Sequence, residues 1–215
     1  MTKLKEMLIE NKKLFHNPNP IIREISKDKY FEVLKDFVWN DNYPEFYEDN
    51  EIHGVSHIER VILLSFYLYI NLYDKEGLNG NDLLVILYAA AYHDVGRYSN
   101  GEEVDHGRKS ARIFRKLEKN IESDLIDMIC IIVEAHSLNE NNLYGFITKN
   151  GIHQNDKIFK LMKIIQDADM LDRTRFLIYL NIQSVVSKRI IDSDKLFFEI
   201  SKLNITTAIN LVEII

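Results

Sequence analysis

His93 and Asp94 stand side by side after the apolar run Leu83-Leu84-Val85-Ile86-Leu87-Tyr88-Ala89-Ala90-Ala91-Tyr92, and Gly96 follows closely. An imidazole nitrogen and a carboxylate oxygen are ligands for divalent metal ions. More of both occur at His57, His106, His136 and Asp169. A nitrogen and oxygen donor set without thiolates suits borderline or hard ions, so Mn, Fe, Co, Ni, Zn and Mg are all compatible. A hydrolytic metal needs a few protein ligands and an open position for water. His57, His93, Asp94 and Asp169 can form one such set. If Asp94 uses both its oxygens it can bridge two ions about 3.5–4 Å apart, with His106 and His136 completing the second site. Two ions would clamp the attacking and leaving oxygens of a displacement at phosphorus. The chain therefore reads as holding one or two ions.

Each residue also has a plainer reading. His57 could be a core histidine on an apolar helix. His106, opening a helix among polar residues, could be exposed. His136 could be a helix C-terminal cation favoured by the dipole. Asp169, between Asp167 and Asp172, could be a cap or a solvated acid, and Asp167 competes with it as a ligand. Taken together, every candidate lies at a helix terminus or on an otherwise apolar face, and all belong to one hardness class.

The elements that must position these residues read as helices almost throughout. Apolar spacing predicts helices over about 3–15, 28–39 and 55–73. The polar Asn79-Gly80-Asn81-Asp82 turn supplies an N-cap for a helix ending at His93-Asp94. Further helices are expected over about 105–117, 123–135 (with Ser123 as a cap), 156–166, 174–186 and 194–213. Asn17-Pro18-Asn19-Pro20 is a break. Residues 40–51 read as a polar loop, a loop runs on through Gly101, and Gly145 and Gly151 mark 139–155 as loop-like. Adjacent helix side chains diverge by about 100°, so His93 and Asp94 can share an ion best where their helix ends, and Gly96 marks that end. No linker divides the chain, so residues 1–215 read as one all-α domain, although residues 1–50 could form a semi-independent cap.

Composition narrows the class. With 8 Gly and 3 Pro in 215 residues, the turn chemistry of a β-sandwich is missing. A formal net charge of −6 disfavours broad nucleic-acid binding, which releases counterions at basic patches. A small anionic substrate is still compatible, because the local field decides there. The one cysteine, Cys130, lies in an apolar run and reads as a small buried hydrophobe. No apolar stretch reaches the length of a membrane span. The charged start, Met1-Thr2-Lys3-Leu4-Lys5-Glu6, does not resemble a signal-peptide core, and a cytoplasmic location is expected. Apolar residues near the C-terminus, such as Leu196, Phe197 and Phe198, can pack on the core or on a second copy, so a homo-oligomer is open.

Three stretches together resemble the HD superfamily of metal-dependent phosphohydrolases. They are His53-Gly54-Val55-Ser56-His57-Ile58-Glu59-Arg60-Val61, Ala91-Tyr92-His93-Asp94-Val95-Gly96-Arg97 and Gln166-Asp167-Ala168-Asp169-Met170-Leu171-Asp172. The resemblance covers about residues 53–175. It implies an all-α bundle with His57, His93, Asp94 and Asp169 around a metal, Asp169 being the match to the family's distant aspartate. It also implies hydrolysis of a phosphoester, of a nucleotide or another small phosphorylated compound, with Asp94 orienting the metal-activated water. Asp105-His106-Gly107 and Ala135-His136-Ser137 resemble the subgroup with extra histidines and two metals. Arg97 and Lys109 are expected to contact phosphate oxygens, as are, more weakly, Arg173 and Arg175. Arg60 and Glu59 are candidates for orienting ligands, as is His53, although Glu59 could equally pair with a surface cation. His16 and His153 carry no assignment. The same scaffold allows two alternatives: a di-iron oxygenase, and a non-catalytic nucleotide-sensing module.

Overall fold

The computed structural model describes residues 3–9, 20–40, 53–98, 103, 105–117 and 120–172. Every regular element among them is a helix: α1 Lys3–Ile9, α2 Pro20–Ile25, α3 Phe31–Trp39, α4 Val55–Glu76, α5 Gly80–Tyr92, α6 His106–Lys116, α7 Ser123–Ala135, α8 Glu140–Lys149 and α9 Lys157–Asp172. None of these is long and apolar enough to cross a membrane.

The middle of the fold is α5. Its residues Leu83, Val85, Ile86, Leu87, Ala89, Ala90 and Ala91 are all buried. A helix apolar on every side needs neighbours on every side, and α5 packs against α4, α6, α7 and α9. Its start is fixed twice. The Asn79 side chain accepts from the backbone N–H groups of Asn81 and Asp82, while Asp82 accepts from the Asn79 N–H at 2.8 Å. That reciprocal capping box satisfies donors the helix leaves orphaned. Lys157 then reaches Asp82 at 3.2 Å, tying the beginning of α9 to the beginning of α5.

α4 buries Ile58, Val61, Ile62, Leu63, Leu64, Phe66 and Leu68. α2 packs on it, and α1 packs on α3. The buried Glu59 carboxylate accepts from the Leu4 N–H at 3.2 Å, at the start of α1. Glu59 therefore ties α1 to α4. α6 buries His106, Gly107, Ser110, Ala111 and Phe114, a stripe at helical spacing that faces α7.

Several helix boundaries depart from the sequence reading. Residues 139–155 contain α8, whose first turn is capped by the Asn139 side chain accepting from Asn142 N–H at 3.0 Å. Gly145 sits inside it with open space around its α-carbon. A glycine there costs the helix about 1 kcal/mol without breaking it, and the true stop is Gly151 at φ +64°. α9 runs to Asp172, past the expected end at Gln166, because Ile164, Ile165, Ala168 and Leu171 keep burying one face. A separate helix, α2, precedes the turns that lead into α3. Ser123 is the first residue of α7 and its hydroxyl donates to Asp124 at 3.4 Å, so it does not cap the helix. The expected helices 174–186 and 194–213, the loop 40–51 beyond Asn40, and Arg173 and Arg175 lie outside the described residues.

Candidate metal centre

The ends of α4, α5, α6, α7 and α9 converge on Asp94. His57 comes from the first turn of α4, His93 caps the end of α5, and Asp169 lies in the last turn of α9. All are buried. His57 Nε2 lies 3.6 Å from Asp94 Oδ2 and 3.6 Å from Asp169 Oδ1. His93 Nε2 lies 3.8 and 3.9 Å from the same two atoms. On the other side, His106 Nε2 lies 3.3 Å from Asp94 Oδ1 and His136 Nε2 lies 3.5 Å from it. The two oxygens of one carboxylate thus face two different histidine pairs. Asp169, not Asp167, is the acid brought to this point; two residues apart on a helix, the two acids point in nearly opposite directions.

The proton positions follow from the acceptors. His57 Nδ1 donates to Asp172 at 2.7 Å, His93 Nδ1 to the Ala90 carbonyl at 2.7 Å and His136 Nδ1 to the Val133 carbonyl at 2.6 Å. His106 Nδ1 donates to the Glu103 carbonyl. With each Nδ1 holding the proton, each Nε2 presents a lone pair. Those lone pairs are aimed at one another: His57 Nε2 and His93 Nε2 are 3.1 Å apart, and His106 Nε2 and His136 Nε2 are 3.0 Å apart. Two lone pairs at that distance repel unless a cation lies between or beside them. At metal–nitrogen distances of about 2.0–2.1 Å, two nitrogens on one ion stand about 3.0–3.4 Å apart. Asp94 Oδ1 is buried and has no hydrogen-bond partner among the described residues. An orphaned carboxylate oxygen beside two unprotonated imidazoles fits a divalent ion.

Electrostatics point the same way. Burial, aided by the neighbouring His136 and His57 and against the pull of Asp94 and Asp169, pushes His93 down to about 3. Burial and then His136 push His106 down as well. Neutral imidazoles are the ligating form. Burial alone would raise Asp94, but the histidines around it outweigh that and hold the carboxyl well below its usual range; with the facing Nε2 atoms unprotonated, the hydrogen-bond donor among them is His53.

Two glycines allow this convergence. A Cβ on Gly96 would lie 2.5 Å from the Ser110 backbone nitrogen, and the Gly96 N–H donates to Ser110 Oγ at 2.8 Å. The turn after His93-Asp94 can therefore lie directly on α6. A Cβ on Gly107 would lie 2.8 Å from the Glu134 carbonyl oxygen and 2.9 Å from that of Val133. Gly107 lets the start of α6 meet the end of α7, which is what places His106 beside His136. Gln166 adds a bond from α9 to the Ala135 carbonyl at 3.0 Å, next to His136.

Asp172 received no role from the sequence, yet it carries much of the geometry. Besides accepting from His57, it accepts from Arg60 Nε at 2.5 Å. Burial lowers Arg60 to about 10, against Glu59 raising it. The spacing Asp169 to Asp172 could have flagged the residue, since i and i+3 share a helix face. His53, about a fifth exposed, donates from Nδ1 to Asp94 Oδ2 at 2.8 Å. Arg97 Nε is 3.4 Å from the same oxygen, and Arg97 Nη2 is 3.1 Å from His106 Nε2. Lys109 extends away from these contacts, its ammonium 5.3 Å from the centroid of the exposed Tyr98 ring. His153 is not among these residues; its backbone N–H bonds Asp156.

Residues 54–174, more than half of the chain, match the HD domain family. The chain belongs to the HD domain family. Its members are generally metal-dependent hydrolases that bind divalent ions. The matched segment begins just before α4 and ends just after α9, and so contains every helix that contributes to the centre. The chain matches no curated protein and no solved structure.

Proposed function

We propose that this HD domain hydrolyses a phosphoester, of a nucleotide or another small phosphorylated compound. The observation that carries the reading is the pair of imidazole pairs, all with Nε2 unprotonated, set on the two oxygens of Asp94. His57, His93, Asp169 and Asp94 Oδ2 would hold one divalent ion. His106, His136 and Asp94 Oδ1 would hold a second. Bound there, the ions supply a water of lowered pKa and positive charge for the oxygens of the phosphoryl group.

The remaining work falls to the chain itself. Asp94, held as a carboxylate, is the acceptor that orients the attacking water. Arg97 stands beside Asp94 and His106 with a forked donor suited to phosphate oxygens. Lys109 would act farther out, as a mobile charge at the mouth. Asp172 and Arg60 keep His57 in one tautomer and one orientation. The buried walls of α4 and α5 keep bulk water away, which strengthens each charged contact.

The test is phosphate release from a panel of nucleotides, sugar phosphates and phosphodiesters, with Mn, Mg, Fe, Co, Ni or Zn added to metal-stripped protein. Release is expected with at least one ion, and its loss is expected in His93→Ala combined with Asp94→Ala. Full activity in that double variant would refute the site. Oxygen uptake with an organic substrate, two irons per chain and no phosphate release would refute the reaction class.

A further inference from the structure

We infer that His53 is the residue that keeps Asp94 bridging, and so decides whether the centre holds two ions or one; this rests on the two-ion reading above. A carboxylate between two metal positions has two modes. It can give one oxygen to each ion, or it can turn and chelate a single ion with both. The second mode would withdraw Oδ1 from His106 and His136 and leave that pair without an anionic ligand.

The contacts of Asp94 select the first mode. His53 Nδ1 donates to Oδ2 at 2.8 Å, and this is the oxygen on the His57 and His93 side. With one lone pair of Oδ2 committed to His53, the carboxylate is fixed in rotation. Oδ1 accepts no hydrogen bond among the described residues and stays directed at His106 and His136. Arg97 Nε also stands 3.4 Å from Oδ2, an ion-pair distance, so its charge favours the same side. The His53 ring is held in turn by an edge contact with His57, centroids 5.6 Å apart and planes at 90°. His53 itself lies outside both proposed ligand sets. It is a positioning residue acting through Asp94.

Mn titration of metal-stripped protein tests this, with calorimetry counting ions and electron paramagnetic resonance detecting an exchange-coupled pair. Wild type is expected to take two ions and show the coupled signal. His53→Phe keeps a ring against His57 but removes the donor. It should keep the first ion, bind the second about ten- to a hundredfold more weakly and lose the coupled signal. His53→Asn restores an N–H close to the Nδ1 position and should recover both. Two ions bound at wild-type affinity in His53→Phe would overturn the inference. So would equal loss of both ions in either variant, failure of His53→Asn to recover the second, or a single ion in the wild type. Ion counts need no substrate, so an absence of phosphate release would sink the reaction class without touching this result.

Discussion

The two sides of Asp94 are built differently. On the Oδ2 side, His57 and Asp169 sit within the end turns of α4 and α9, His93 caps α5, and the buried Asp172–Arg60 pair braces His57. On the Oδ1 side, His106 and His136 sit at the tips of α6 and α7, and each ring, like that of His93, is anchored through Nδ1 to a carbonyl three residues back in its own chain segment. That side depends on two helix ends meeting at Gly107. A site braced by side chains from other helices resists local fraying, whereas helix ends are where opening costs least. On the two-ion proposal, the Oδ2 side would therefore be the tighter ion position and the Oδ1 side the weaker.

The change that should erase the difference is Asp94→Asn, since it removes charge from both positions. Both ions should be lost, with affinities falling more than about a hundredfold, beyond the effect of outer partners; calorimetry with Mn reads this. Asp172→Ala should act on the tighter side alone. Breaking a buried ion pair costs about 3–5 kcal/mol, and His57 loses its brace, so urea denaturation should show the loss while the first ion weakens about ten- to a hundredfold. Gly107→Ala should act on the weaker side alone. A methyl forced against the Val133 and Glu134 carbonyls costs about 1–3 kcal/mol and should remove the second ion while sparing the first. If Gly107→Ala instead removes the first ion, the two sides are not independent.

A separate effect is that of acid on the metal-free protein. His93 is held down to about 3 against an ordinary 6.5, so the unfolded chain binds its proton first. Stability then rises with pH across that interval and falls as pH drops from about 6.5 toward 3. Replacing His93 with Asn should flatten the dependence over that interval in thermal melts; an unchanged slope would mean that other groups carry it.

What could be read from the sequence follows the same division. The α4 and α5 helices were legible because their apolar runs are long, and the Asn79 cap because its chemistry is local. His57, His93 and Asp169 were identifiable as one set through types and spacing. The plainer readings of His106 and His136 were hard to dismiss because their partners lie 30 residues apart and meet only through Gly107, a contact no periodicity encodes. α8 was missed because Gly145 reads as a breaker while the Asn139 cap works against it. Asp172 was missed because its role needs α4 and α9 side by side; His53 was named only as a candidate for orienting ligands, because its bond to Asp94 spans 41 positions.

On the proposed reading, one carboxylate serves two ion positions of unequal strength. Metal titration of His106→Ala combined with His136→Ala, beside the wild type, tests it most directly. Two ions are expected in the wild type, one tighter than the other, and in the variant a single ion at close to the tighter affinity. The same ion count in both proteins, or no ion in the variant, would contradict it.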